Sequence, residues 1–175
     1  MSKKKTFTGI DKKEYFETLN KIIFFITNAQ ALANKIDIKN LSQPGIIKEI
    51  IIAYTLKHRL NPTKKHHDAE DFDNSNIRYE YLSCLENKTL QFDRVNEENL
   101  KKRVKERNTK VYCSIFHKDN SLKLLRVYEV DPNEMYKILM KKYKKSSSTS
   151  RHVGISEDEI KKIGAKLIYP KNSPQ

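Results

Sequence analysis

Asp68 and Glu80 stand 12 positions apart, and Glu80 lies in the alternating, β-prone run Ile77-Arg78-Tyr79-Glu80-Tyr81-Leu82. A polar stretch that suits a turn separates them, and a helical segment bearing Glu49 precedes them. Two carboxylates on adjacent strands can converge on one divalent cation. Mg2+ takes oxygen ligands and binds through one or two carboxylates, with water and substrate phosphate completing its shell. Such a cation lowers the pKa of a bound water and offsets charge on a phosphodiester under attack. A nearby Lys or Arg completes the electrophilic clamp. Taken singly, Glu80 reads as a solvated strand residue and Asp68 as one loop charge among Glu70, Asp71 and Asp73. Only their pairing carries chemistry.

The elements that must position them are legible from periodicity. Tyr15, Leu19, Ile22, Ile23 and Ile26 repeat at three and four, which predicts a helix from Asp11 to about Ala33 with that face buried. Asp11 and Glu14 have capping-box spacing. Pro44 and Gly45 open a second helix to about His58, with Ile46, Ile47, Ile50, Ile51 and Tyr54 on it. Strands are expected at 77–82, 89–93, 110–117 and 122–130, the last two as a hairpin, with a short basic helix at 97–107. Asp131 and Pro132 start a helix as cap and first residue, with Met135, Ile138 and Leu139 as its stripe. A capped helix from Ser156 to Gly164 and a closing strand at 166–169 follow. The organisation predicted is a basic, disordered N-terminus at 1–10 and one domain over 11–170. A Ser/Lys-rich mobile loop is expected at 141–151 and a tail at 171–175. The class is α/β, a mixed β-sheet flanked by helices.

Thirty-five Lys and Arg against 22 Asp and Glu leave a formal charge of +13 over 175 residues, which points to a polyanionic partner, most simply nucleic acid. Lys101, Lys102, Arg103, Lys105 and Arg107 crowd one short helix, and phosphates would relieve their repulsion. Lys141, Lys142, Lys144, Lys145 and Arg151 form a second basic cluster, and Lys64, Lys65 and His67 flank Asp68. No apolar run approaches the roughly 18 residues of a membrane span, and no apolar stretch follows Met1-Ser2-Lys3-Lys4-Lys5, so a cytoplasmic protein is expected. Two cysteines, Cys84 and Cys113, make neither a disulfide framework nor a zinc site and read as core thiols. No phosphate-binding glycine pattern, GxSxG or HExxH is present, which leaves nucleotide-cofactor, serine-hydrolase and zincin readings without support.

His67-Asp68-Ala69, the acidic spacer Glu70 to Asn76, and Ile77-Arg78-Tyr79-Glu80-Tyr81-Leu82 resemble a "D-A … Y-E-Y-K" hairpin. That hairpin belongs to the PD-(D/E)xK nuclease superfamily, and in particular to small type II restriction endonucleases. Gly45 to Ile50, with Glu49, resembles the family's preceding helix, and Leu90 to Arg94 the strand that often follows. The segment from His152 to Pro170 is similar to the family's C-terminal part, so the likeness spans about 44–170. It implies a restriction-endonuclease-like fold, a homodimer, and Mg2+-dependent, sequence-specific hydrolysis of double-stranded DNA. Asp68 and Glu80 would hold the metal, with Glu49 assisting.

The departure is Leu82, where the family carries a lysine that orients the attacking water and offsets phosphate charge. Three readings stand. A lysine reaches in from elsewhere, with Lys88 first and Lys64 or Lys65 next. Gln91 fills the space. Or the domain binds nucleic acid without cutting it. An RNA-binding or ribosome-associated protein is a further reading that the charge alone allows.

Overall fold

The computed structural model describes residues 12–43, 45–61, 67–93, 95–145 and 152–170. The N-terminus 1–10, the Asp11 cap, Lys64, Lys65, Arg151 and the tail 171–175 lie outside the described residues. Two compact units divide the chain at residues 43 and 44.

The first unit is built on α1, Lys12–Asn34. After it the chain turns back, and the Gln30 side chain accepts the Leu41 amide at 2.7 Å and donates to the Ile38 carbonyl at 3.0 Å. Ala33 and Ile38 are buried there. The helix forms as its periodicity requires, but the expected buried face does not. Ile22, Ile23 and Ile26 are exposed, as are Phe16, Phe24 and Phe25. A helix of 23 residues runs roughly 35 Å, and one short loop covers only its end.

The second unit begins with α2, Ile46–Leu56, opened by Gly45 at φ 87° and closed by Lys57 at φ 61°. Short strands β1, Arg59–Leu60, and β2, Ala69–Glu70, lead into β3, Arg78–Leu85. Then come β4, Leu90–Phe92, and α3, Glu97–Leu100, which runs on into six residues of wider, π-type winding, Lys101–Glu106. The rest is β5, Lys110–Phe116; β6, Leu124–Val130; α4, Pro132–Lys145; β7, Val153–Ile155; α5, Glu157–Lys162; and β8, Lys166–Tyr169.

Six strands make one mixed sheet in the order β1-β2-β3-β5-β6-β8, parallel only between β3 and β5. β4 and β7 pair separately. The α/β class and the helix-flanked mixed sheet are therefore as read from the sequence. Alternation along β3 sorts its side chains. Leu82 and Cys84 enter a core with Leu100, Val104, Val111, Cys113, Met135 and Leu139. Tyr79 and Tyr81 enter a second core with Ile52 and Ala53 of α2 and Tyr112 and Phe116 of β5. Asp131 caps α4 through the amides of Asn133 and Glu134, and Ser156 and Glu159 form the capping box of α5.

Residues 141–145, expected in a mobile loop, continue α4. Lys142 is held there by Glu159 and the Gly154 carbonyl, both at 2.7 Å. Residues 146–151 lie outside the described residues. No described helix is long and apolar enough to cross a membrane.

Candidate functional site

β2 and β3 are antiparallel, with Ala69 opposite Tyr79, so the register carries Asp68 to a place opposite Glu80. The Asp68 amide donates to the Tyr79 carbonyl at 3.0 Å. Beyond that point the side chain takes over the ladder, and Asp68 Oδ2 accepts the Tyr81 amide at 2.7 Å. This joins the two carboxylate positions picked out in the sequence.

Glu80 faces away from α2 and is only 5% exposed. Arg103 Nη2 donates to its Oε1 at 3.0 Å, and Asn108 Nδ2 approaches its Oε2 at 3.4 Å. Burial pushes the Glu80 carboxyl above the usual carboxylate range; Arg103 pulls it back, and the charge of Glu49 adds to the push. Arg103 comes from the π-type winding, where the Arg107 amide reaches five residues back to the Lys102 carbonyl at 3.0 Å. Leu100 and Val104 bury the apolar side of that stretch, which leaves its cations outward. Such windings recur at functional sites.

Glu49 sits in the first turn of α2 and is felt electrostatically at both Glu80 and Tyr81. It does not complete a cluster: among the described residues no three His, Cys, Asp or Glu side chains are gathered as ligands for a metal ion. The reason is topological. α2 covers the Tyr79/Tyr81 face, and Glu80 points to the other.

Lys88 is not beside Glu80. β3 runs five residues from Glu80 to Leu85, roughly 17 Å at the rise of an extended strand, and Lys88 lies in the turn beyond, its amide on the Leu85 carbonyl. Gln91, exposed on β4, joins Lys88, Ser83, Thr89 and Asp93 around an open cleft of about 460 Å3. Neither residue fills the place of the absent lysine. Leu82 itself is 5% exposed within the core.

The basic residues fall into separate settings. Lys101 pairs with Glu106 at 2.8 Å and Lys102 with Glu98 at 2.5 Å, which relieves part of their repulsion internally. Lys105 lies over the Tyr136 ring, and Lys144 and Lys145 end α4. His67 is half-buried, with Nε2 3.5 Å from Glu70 Oε2.

On the α2 face a second polar group had no signal in the sequence. His58 stacks on Tyr79 with ring centroids 3.9 Å apart, and its Nδ1 is 2.8 Å from the Tyr81 hydroxyl. Tyr79 donates to Asp71 at 3.4 Å and Tyr112 to Glu129 at 3.2 Å. Burial lowers His58 to about 4 and raises Tyr79 to about 12, so the imidazole and phenol are neutral near pH 7. This group braces the strand segment that carries Tyr81. Asn108 likewise has no signal in the sequence: it lies 28 residues from Glu80 with no period linking them.

No protein-family model matches this chain, and no curated protein is significantly similar to it.

Proposed function

We propose that the chain is a Mg2+-dependent endonuclease that hydrolyses phosphodiesters of double-stranded DNA at specific sites, with a restriction-endonuclease-like fold and a homodimeric assembly. The observation that carries the reading is the Asp68–Tyr81 bond, which holds one carboxylate against the strand segment bearing the other. The order α2, three antiparallel strands and a crossover to a parallel strand supports the fold. The exposed phenylalanines of α1 support self-association.

The donor chemistry suits a hard cation. Mg2+ needs only one or two protein carboxylates, and Glu49 concentrates negative charge at Glu80. Asp68 and Glu80 would hold it, with Glu49 contributing charge. When bound, such a cation supplies a water of lowered pKa and compensates charge on the phosphate. The chain's own part is to hold Asp68 through the Tyr81 amide and to place Arg103 and the cations of the π-type stretch toward a phosphate backbone.

A second reading, a nucleic-acid-binding module without cleavage, is favoured by one observation: the position of the expected lysine is a core leucine. Incubation with long duplex DNA in Mg2+ separates the two. Discrete fragments that vanish with EDTA and with Glu80→Gln support the nuclease; intact but retarded DNA supports the binding module.

A further inference from the structure

We propose that Arg103 is the phosphate-contacting cation of this site, taking over on the Glu80 face of β3 the charge that Leu82 cannot supply. The inference rests on the nucleic-acid part of the reading above and holds whether or not the chain cuts. A guanidinium carries five N–H donors in a rigid fork. Arg103 gives one of them to Glu80 Oε1 at 3.0 Å. Its side chain is 41% exposed while that of Glu80 is 6% exposed, so one residue links an interior carboxylate to the surface. An arginine serving only as counter-ion to a buried carboxylate has no need of that outward half.

Its placement is built rather than incidental. The guanidinium lies 5.4 Å from the centroid of the Phe92 ring, whose flat face supports it. The Arg103 carbonyl accepts from Asn108 Nδ2, and the same Asn108 approaches Glu80. Leu100, just before the winding, and Val104, within it, are fully buried and anchor it. Glu80 and Leu82 lie on one face of β3, and Arg103 reaches that face from the crossover between β3 and β5. A fork held from below by a carboxylate matches the bidentate geometry with which arginine takes phosphate oxygens. Lys101 and Lys102 differ, because their partners Glu106 and Glu98 are themselves exposed and compete for them at the surface.

The test is binding of a labelled mixed-sequence duplex DNA in EDTA across a salt series, with each full-length variant checked for folding by its thermal melt. Removing Arg103 alone strands the Glu80 charge, so the decisive comparison is Glu80→Gln against Glu80→Gln with Arg103→Met. The double variant should bind about tenfold more weakly, with the slope of log K against log salt reduced by about one, the mark of one lost phosphate contact. Arg103→Lys should keep the slope and lose part of the affinity, and Lys137→Met, on the exposed side of α4, should stay within twofold of the parent. A double variant that binds within twofold of Glu80→Gln at an unchanged slope overturns the proposal and leaves Arg103 a counter-ion only. The parent chain with Mg2+ and long DNA keeps the two readings apart. Arg103-dependent binding without cleavage removes the nuclease and keeps this inference. Cleavage with Arg103-independent binding does the reverse. A parent that binds no duplex overturns both.

Discussion

Asp68 Oδ2 accepts the backbone amide of Tyr81 at 2.7 Å, so a side-chain carboxylate serves as the next rung of the β2–β3 ladder. The bond is charge-assisted and short, and it fixes Asp68 against the strand that carries Glu80. Asp68→Ala should therefore lower stability by about 1–2 kcal/mol, since it removes the acceptor from a part-buried N–H. Asp68→Asn keeps an acceptor and should lose less than half of that. Urea unfolding of the two variants measures the difference, and equal losses would count against the rung.

Leu82 invites an obvious repair. Leu82→Lys places an ammonium among Cys84, Val111 and Cys113. The substitution should cost about 3 kcal/mol or more, because the charge is buried without a partner. It should raise neither cleavage nor DNA binding. A variant of parental stability and higher activity would mean that β3 opens to substrate at position 82 as well as at the Glu80–Arg103 end of that face.

Among the described residues, Arg103→Met leaves the buried Glu80 with only Asn108 for support. The loss should be about 2 kcal/mol, below the range for fully buried pairs because the Arg103 side chain is 41% exposed and partly screened. Glu80→Gln in the same chain should recover most of it. Chemical denaturation of the four-member cycle reads the coupling directly; additive effects would deny the pair.

His58 sets a pH dependence. Desolvation by burial lowers its pKa from 6.5 to about 4, with Asp71 and Glu129 opposing and Lys110 assisting. The unfolded chain then binds a proton that the folded chain refuses. The contribution of neutral His58 is fully present above pH 6.5 and is lost as pH falls toward 4. Discounted for a ring that water partly reaches, it amounts to about 1–2 kcal/mol. The fall in stability between pH 6.5 and 4 should be smaller in His58→Gln than in the parent, as thermal melts over that range will show.

The α1 face makes the last prediction. Phe24 and Phe25 are 63% and 67% exposed. On the homodimeric assembly proposed above, the parent should scatter light as a dimer and Phe24→Asp with Phe25→Asp as a monomer, with the melt of the second unit unchanged. A parent chain that is monomeric at micromolar concentration would remove α1 from the assembly.

Most elements are legible along the chain because each is written in local terms: apolar spacing for α1 and α2, Asp131-Pro132 and Ser156-Glu159 as caps, alternation along β3, β5 and β6. The sequence also singles out Asp68 and Glu80, which the antiparallel register sets opposite one another. No period marks β1, β2 or β7, which are two or three residues long and take their conformation from their partners; the strand at Ala69 is suggested only by the hairpin resemblance. Nor does a period show that 141–145 is helical, since contacts with Glu159 and Gly154 outweigh a loop-like composition. Above all, which cation meets Glu80 is settled by the fold and not by position along the chain. Lys88 is close in sequence yet beyond the far end of the strand, whereas Arg103, 23 residues on, is returned to the same face by the crossover into β5. Sequence distance orders residues along a chain. Charge acts across space, and the sheet decides which of them meet.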